Sequence, residues 1–220
     1  PNNGVLYIRD ALDRESVDHY ELLIRVHDHG LPRQLNATAV LRVTVTDIND
    51  NRPYWRKSAY LFEIAEDAPI GTLLGQVTAF DVDLEGNSTL LYNITDHTDA
   101  AFRINPTTGQ IYVRSTLDRE AKDRYDFAIE VRDQGVPSSL TSDDKAIVTI
   151  TVLDINDNRP VFDAFGSNGE YDTDASDEQN VVKVPIGTVR RSIVASFKAT
   201  DPDAGVNGTV HYSLAEPSEL

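Results

Sequence analysis

Ala146-Ile-Val-Thr-Ile-Thr-Val-Leu-Asp-Ile-Asn-Asp-Asn-Arg-Pro160 repeats the pattern of Ala39-Val-Leu-Arg-Val-Thr-Val-Thr-Asp-Ile-Asn-Asp-Asn-Arg-Pro53. Each stretch opens with an apolar residue at every second position: Ala39, Leu41, Val43, Val45 in one, Ala146, Val148, Ile150, Val152 in the other. Alternation of period two, rich in β-branched residues, describes a strand with one face covered. A second alternating pair precedes them, Tyr20, Leu22, Ile24, Val26 and Tyr125, Phe127, Ile129, Val131. Each long stretch then ends in the turn-prone string Asp-Ile-Asn-Asp-Asn-Arg-Pro, at 47–53 and again 107 positions on (154 − 47).

Two more strings keep the same phase. Leu-Asp-Arg-Glu stands at 12–15 and 117–120, and Asp-x-Gly-x-Pro begins at Asp28 and Asp133, both with a spacing of 105 (133 − 28). Three strings recurring in order, at about the length of a small β-sandwich, define a tandem array. Further strands are expected near 74–79, 90–94 and 111–113, while helical periodicity is weak throughout. The expected fold is all-β, as tandem seven-stranded Greek-key β-sandwiches of immunoglobulin-like architecture.

Composition narrows the function. The 220 residues contain 20 Lys and Arg against 36 Asp and Glu, a net charge of −16, and no cysteine. A chain this acidic lacks the basic footprint of a nucleic-acid binder. Without cysteine there is no disulfide framework or thiol chemistry. No apolar run approaches the ~18 residues of a membrane span, so no direct membrane contact is expected of this segment. Four Asn-x-Ser/Thr sequons, at Asn36, Asn87, Asn93 and Asn207, suit an extracellular glycoprotein.

The repeated strings concentrate carboxylates and amides on turns. Calcium takes six to eight oxygen ligands of this kind, whereas zinc prefers His or Cys. An EF-hand is excluded: after Asp47-x-Asn49-x-Asn51 the sixth position, Gly in that loop, is Arg52, and the twelfth, Glu, is Ser58. The second copy has Arg159 and Phe165 there. Three other features have plainer explanations than chemistry. His27-Asp28-His29 reads as a strand end facing one side rather than a transition-metal site. Trp55 reads as packing. The Asp-Arg-Glu pairs lack any accompanying nucleophile, and no enzyme is expected.

Taken together, Glu66-Asp-Ala-Pro-Ile-Gly-Thr72, Ala79-Phe-Asp-Val-Asp83, Leu117-Asp-Arg-Glu120, Val131-Arg-Asp-Gln-Gly-Val-Pro137 and Asp154-Ile-Asn-Asp-Asn158 resemble the extracellular repeats of cadherins. The resemblance covers the whole chain. It implies calcium ions between successive repeats, ligated from both sides. Carried over residue by residue, it implies that the first junction uses Asp13, Glu15, Asp47, Asn49, Asp50 and the carbonyls of Ile48 and Asn51 from upstream. From downstream come Asp81, Asp83, Asp133 and the Asn87 carbonyl. The second junction would use Glu66, Asp118, Glu120, Asp154, Asn156, Asp157 and the carbonyls of Ile155 and Asn158. Asp201, Asp203 and the Asn207 carbonyl would complete it.

The phase of the strings divides the chain into the C-terminal half of a repeat (1–51), a complete repeat (52–158) and the N-terminal half of another (159–220). Only the middle one is expected to fold alone. Each junction would then lack one acidic ligand, with calcium affinity reduced accordingly. Pro185-Ile-Gly-Thr188 matches Pro69-Ile-Gly-Thr72, so Val182 stands where Glu66 does. Residues 163–180 look like an insertion or displaced first strand, with Asp177 or Glu178 as substitute acids. The resemblance implies a large atypical cadherin or protocadherin-like protein, in the extracellular portion of a plasma-membrane protein. Two roles stay open: calcium-dependent cell–cell adhesion with another cadherin-type ectodomain, homophilic or heterophilic, or a calcium-stiffened spacer without a partner of its own.

Overall fold

The computed structural model describes residues 4–84, 86–95, 100–166, 186–191, 193 and 196–214. They carry thirteen strands and no helix. The first two, β1 (His19–His27) and β2 (Asn36–Thr44), form an antiparallel pair in which His19 faces Thr44 and His27 faces Asn36. Then come β3 (Tyr54–Trp55), β4 (Ala59–Ala65), β5 (Leu73–Gln76), β6 (Ala79–Phe80), β7 (Leu91–Ile94), β8 (Phe102–Ile104), β9 (Gln110–Val113), β10 (Arg124–Arg132) and β11 (Ala146–Leu153). The last pair is β12 (Val161–Gly166) with β13 (Ser196–Thr200), interrupted by a register shift between Phe162 and Ala164.

The strands between these two pairs in sequence form the sandwich. One sheet has the order β4-β11-β10-β7 and the other β5-β9-β8, with β3 paired to β6 at the margin. Sequence neighbours are mostly not sheet neighbours, which is the Greek-key crossing expected of seven strands. Burial follows the alternation. Tyr125, Phe127, Ile129 and Val131 of β10 and Ala146, Val148, Ile150 and Val152 of β11 turn inward. Ile111 and Val113 of β9 are likewise buried. Phe102 of β8 and Phe127 of β10 bring their rings to 6.2 Å from opposite sheets. Gly75 of β5 sits so close beneath Phe62 of β4 that an added Cβ would stand 2.3 Å from the ring. That is close-packed layering, not loose apposition.

The expected single strand at 74–79 is two. At Val77 and Thr78 the backbone amides are claimed by the Gly109 carbonyl (3.0 Å) and the Tyr60 hydroxyl (3.1 Å). The chain leaves the β5 sheet there and re-pairs as β6 against β3, Tyr54 facing Phe80. Trp55 packs against Tyr60 and Tyr92 (centroids 6.5 and 5.9 Å) and donates its Nε1 hydrogen to the Asp144 carbonyl at 3.2 Å. Packing is the role of this residue.

The described residues divide into two compact units. The first takes those within 1–62, 70–115 and 126–149; the second takes those within 63–69, 116–125 and 150–220. Val182, Asp177 and Glu178, and most of the stretch 163–180, lie outside the described residues.

Candidate metal centres

Each unit contains one acidic centre, and the two are built alike. In the first unit five short segments converge: the turn at Asp13–Ser16 ahead of β1, Asp47–Asn51 after β2, Asp81–Asp83 after β6, Asn87 just beyond, and Asp133 at the end of β10. Polar strings placed where strands stop are free to fold as turns, and their side chains are left to satisfy one another. Asn51 donates from its backbone N–H to Asp83 (3.3 Å) and from its amide to the other Asp83 oxygen (2.7 Å). Asp47 accepts from the Asn87 amide at 2.7 Å and from the Leu84 N–H at 3.2 Å. Asp81 accepts the Asp83 N–H at 3.0 Å. Carboxylate oxygens of Glu15, Asp50 and Asp83 lie within 4.8 Å of one another.

Asp133 is fully buried. One of its oxygens, Oδ1, accepts three hydrogen bonds, from Gly135 N (2.9 Å), Leu140 N (2.9 Å) and the amide of buried Asn49 (3.1 Å). Oδ2 receives none. Two more oxygens of this centre, Asn49 Oδ1 and Asp81 Oδ2, are buried without a hydrogen-bond donor among the described residues, while Asp47 Oδ1 is met by the Arg14 guanidinium. Buried unpaired carboxylate oxygens are costly unless a cation meets them. All the donor atoms are oxygens, the set that suits a hard cation of calcium's kind and not zinc. The residues present fit calcium.

The second unit repeats these contacts. Asn158 donates to Asp203 (2.8 Å) and to Asp157 (2.8 Å), Asn207 donates to Asp154 (2.9 Å), and the Asp203 N–H reaches Asp201 (3.0 Å). Buried Glu66 adds a carboxylate that has no described counterpart in the first centre, held by the N–H groups of Ile155 (2.8 Å) and Arg119 (2.7 Å). Two triads result, Glu66 with Glu120 and Asp154, and Glu120 with Asp157 and Asp203, each within 4.8 Å. Asp203 Oδ2 is again buried without a donor.

Some expected residues stand differently. Asp13 spends its oxygens on its own turn, accepting Ser16 Oγ (2.7 Å) and the N–H groups of Glu15 and Ser16, and these hold its carboxyl below the usual range. Asp118 likewise accepts the Ala121 N–H at 2.9 Å. Asn156 is exposed where its counterpart Asn49 is buried. The carbonyls of Ile48 and Ile155 accept the N–H groups of Asp50 (3.0 Å) and Asp157 (2.9 Å), which tightens both turns. His27 and His29 meet edge to face at 5.9 Å, and Asp28 between them caps its own loop through Gly30 N and Leu35 N.

Two residues escaped the sequence reading although they sit inside the quoted motif. Arg14 lies against Glu15, stands 2.5 Å from Asp47 Oδ1 and donates to the Val82 carbonyl at 3.0 Å. Arg119 does the same with Glu120, Asp154 (2.5 Å) and the Pro202 carbonyl (2.9 Å). Their invariance between the two copies of Leu-Asp-Arg-Glu was the available signal.

Charge is unevenly distributed over these side chains. Burial, with Asp83 and Asp133 adding their charges, pushes the Asp81 carboxyl above its ordinary value. Burial also raises Asp157, beside Glu66, Asp203 and Asp118. Burial would raise Asp47 too, but donors from Asn87 and Leu84 and the Arg14 guanidinium carry it below. Asp154 is lowered by the Ala204 N–H first, then Asn207 and Arg119.

An all-β sandwich with oxygen-rich centres at its strand ends is the architecture of an extracellular-type repeat. The cadherin-domain profile matches residues 60–153. Protocadherin Fat 4 of Mus musculus is 39% identical over 213 residues, covering 97% of this chain and 4% of that protein. Protein dachsous of Drosophila melanogaster is 36% identical over 216 residues, covering 98% of this chain and 6% of its own length. The chain thus spans only a small part of these relatives. Among solved structures, mouse Cadherin-23 EC22-24 is 30% identical with a TM-score of 0.69, covering 94% of this chain and 61% of that one. The protocadherin gammaB7 EC3-6 cis-dimer is 28% identical with a TM-score of 0.74, covering 90% and 46%. The chain belongs to the cadherin superfamily.

Proposed function

We propose that this chain is a calcium-stiffened segment of an adhesion ectodomain, in the extracellular part of a plasma-membrane protein. The observation that carries the reading is the set of buried oxygens of Asn49, Asp81, Asp133 and Asp203 that meet no donor among the described residues. The first centre would hold calcium through Glu15, Asp47, Asn49, Asp50, Asp81, Asp83 and Asp133, with Asp13 and the carbonyls of Ile48, Asn51 and Asn87. The second would use Glu66, Asp118, Glu120, Asp154, Asn156, Asp157, Asp201 and Asp203, with the carbonyls of Ile155, Asn158 and Asn207. Bound there, calcium would supply the positive charge that lets these oxygens converge.

The residues themselves set up the joint. Both centres draw carboxylates from segments preceding and following an Asn-Asp-Asn string, so holding them together fixes one repeat to the next. Arg14 and Arg119 offset part of the repulsion, and Asn51 and Asn158 orient Asp83 and Asp203 by direct hydrogen bonds. Without the cation the remaining like charges oppose closure. A site that binds only the closed arrangement stabilises it by mass action. We divide the chain as before, 1–51, 52–158 and 159–220, with the middle repeat as the autonomous unit. The exposed Val26 of β1 (60%) against the fully buried Val131 of β10 supports this, since equivalent positions are covered only in the middle repeat.

Thermal unfolding of residues 1–220 in excess calcium, excess magnesium and chelator tests the joint. A calcium-specific rise in midpoint is expected; equal midpoints in all three would refute it. Bead aggregation then separates the two roles. Calcium-dependent clustering of beads carrying this chain indicates contact with another cadherin-type ectodomain, whereas dispersed beads indicate a spacer.

A further inference from the structure

We propose that Asn36 and Asn93 are the N-glycan acceptors of this chain and that Asn87 and Asn207 are not, because the latter amides are built into the two acidic centres. The proposal rests on the extracellular reading above and deepens it. Four sequons are equivalent on the sequence. In space they sort into two classes.

Asn93 sits on β7, the last strand of the β4-β11-β10-β7 sheet, facing Glu130 of β10. Its neighbour Tyr92 is buried and accepts the Ala79 N–H at 3.1 Å, so alternation turns Asn93 to solvent, where it is exposed. Asn36 opens β2 opposite His27 and is also exposed. Neither side chain has a hydrogen-bond partner among the described residues. Asn87 is used at both ends: its amide nitrogen donates to Asp47 at 2.7 Å and its oxygen accepts the Val136 N–H at 3.1 Å. The Asn207 nitrogen donates to Asp154 at 2.9 Å.

The chemistry makes the distinction sharp. The amide nitrogen bonds to the anomeric carbon of an oligosaccharide carried on a lipid diphosphate. The carbon–oxygen bond to the diphosphate breaks, and the amide gives up one proton. The modified nitrogen must then point its sugar at open solvent. On Asn87 or Asn207 the nitrogen keeps one N–H, but the sugar on it must find room beside the Asp47 or Asp154 carboxylate in a half-buried centre, so chains modified there are expected not to reach this fold. On Asn93 the glycan covers the outward face of the β7 margin and discourages strand pairing there.

Secretion of residues 1–220 from eukaryotic cells behind a cleaved leader, then amidase release of glycans in heavy-oxygen water, maps the acceptors by mass. The label is expected at positions 36 and 93 and absent at 87 and 207. Label at 87 or 207 in material that unfolds cooperatively overturns the proposal, as does an unlabelled 36 or 93. In a second arm, Asn36→Gln and Asn93→Gln should each lower the mass of the secreted chain by one glycan, and Thr89→Ala, which removes the sequon at Asn87 from an exposed position, should not. Calcium titration of the same material reports on the metal reading separately, since the glycan map needs no cation.

Discussion

Asp133 separates a carboxylate needed for its hydrogen bonds from one needed for its charge. Its Oδ1 accepts from Gly135 N, Leu140 N and Asn49, while Oδ2 is buried and meets no donor. Asp133→Ala removes both functions. It strands two backbone N–H groups, each costing about 1–3 kcal/mol, so the midpoint should fall in chelator and calcium alike. Asp133→Asn keeps an oxygen at Oδ1 and exchanges only the donorless oxygen for an NH2. It also removes one of the charges that push Asp81 upward. In chelator its cost should therefore stay below about 1 kcal/mol, from weaker bonds to a neutral acceptor. In calcium the NH2 opposes the cation. A ligand at a hundredfold excess over Kd stabilises by ~2.7 kcal/mol, on the order of 10 °C for an unfolding unit near ~100 residues. Most of that calcium shift should vanish in Asp133→Asn. Differential scanning calorimetry of the three proteins, with and without calcium, decides it. An Asp133→Asn protein that retains the whole shift, or that falls as far in chelator as Asp133→Ala, would refute the reasoning.

Three further outcomes are expected. Asp81 has a folded pKa raised above 3.8 by burial and by Asp83 and Asp133, so its stabilising contribution is present below pH 3.8 and lost as pH rises through the raised value. Asp81→Asn should then raise the chelator midpoint at neutral pH, with the gain fading below pH 3.8; a gain independent of pH argues against charge repulsion. Gly135→Ala puts a Cβ 2.1 Å from Asn49 Cγ, which must leave Asp133; calcium affinity by titration calorimetry should fall several-fold, and an unchanged affinity would show that Asn49 is dispensable. Ile129 is fully buried and Ile24, at the matching position of the first repeat, is 39% exposed. Denaturant unfolding should give about 2–5 kcal/mol for Ile129→Ala and under about 1 kcal/mol for Ile24→Ala; equal losses would mean that the first hairpin is covered in solution.

That last pair shows where the sequence stops being legible. Period two assigns Ile24 and Ile129 to the same kind of face, and both do lie on strands at the expected places. Alternation says which residues share a face. Whether a second sheet lies over that face depends on partner strands far away in sequence. Ile129 has them, from a complete set of seven; among the described strands β1 pairs with β2 alone. The break at Val77 and Thr78 was hidden for a related reason: their backbone competitors lie far off, Gly109 at 32 positions from Val77 (109 − 77) and Tyr60 at 18 from Thr78 (78 − 60).

The acidic centres were legible to a different depth. Repeated strings at one spacing identified segments that the fold brings together, because polar residues at strand ends can only meet other strand ends. Unreadable was the division of labour within each string. Asp13 and Asp133 are both aspartates of repeated motifs, yet Asp13 is exposed and accepts from its own turn, while Asp133 is buried and holds donors from Asn49 and the loop at 135–140. Arg14 and Arg119 were not legible as members of the centres, because an arginine is itself a cation and offers no oxygen to a metal. Their geometry gives the reason they belong. Six or more carboxylates converge at each centre, and a guanidinium clamped between an aspartate and a backbone carbonyl neutralises one charge permanently while fixing the loop that carries Asp81 or Asp201. The protein thus carries part of its own counter-charge, which helps hold these loops together without a metal. On the proposed calcium reading, burial and the remaining repulsion at Asp81 and Asp157 would leave closure dependent on the ion.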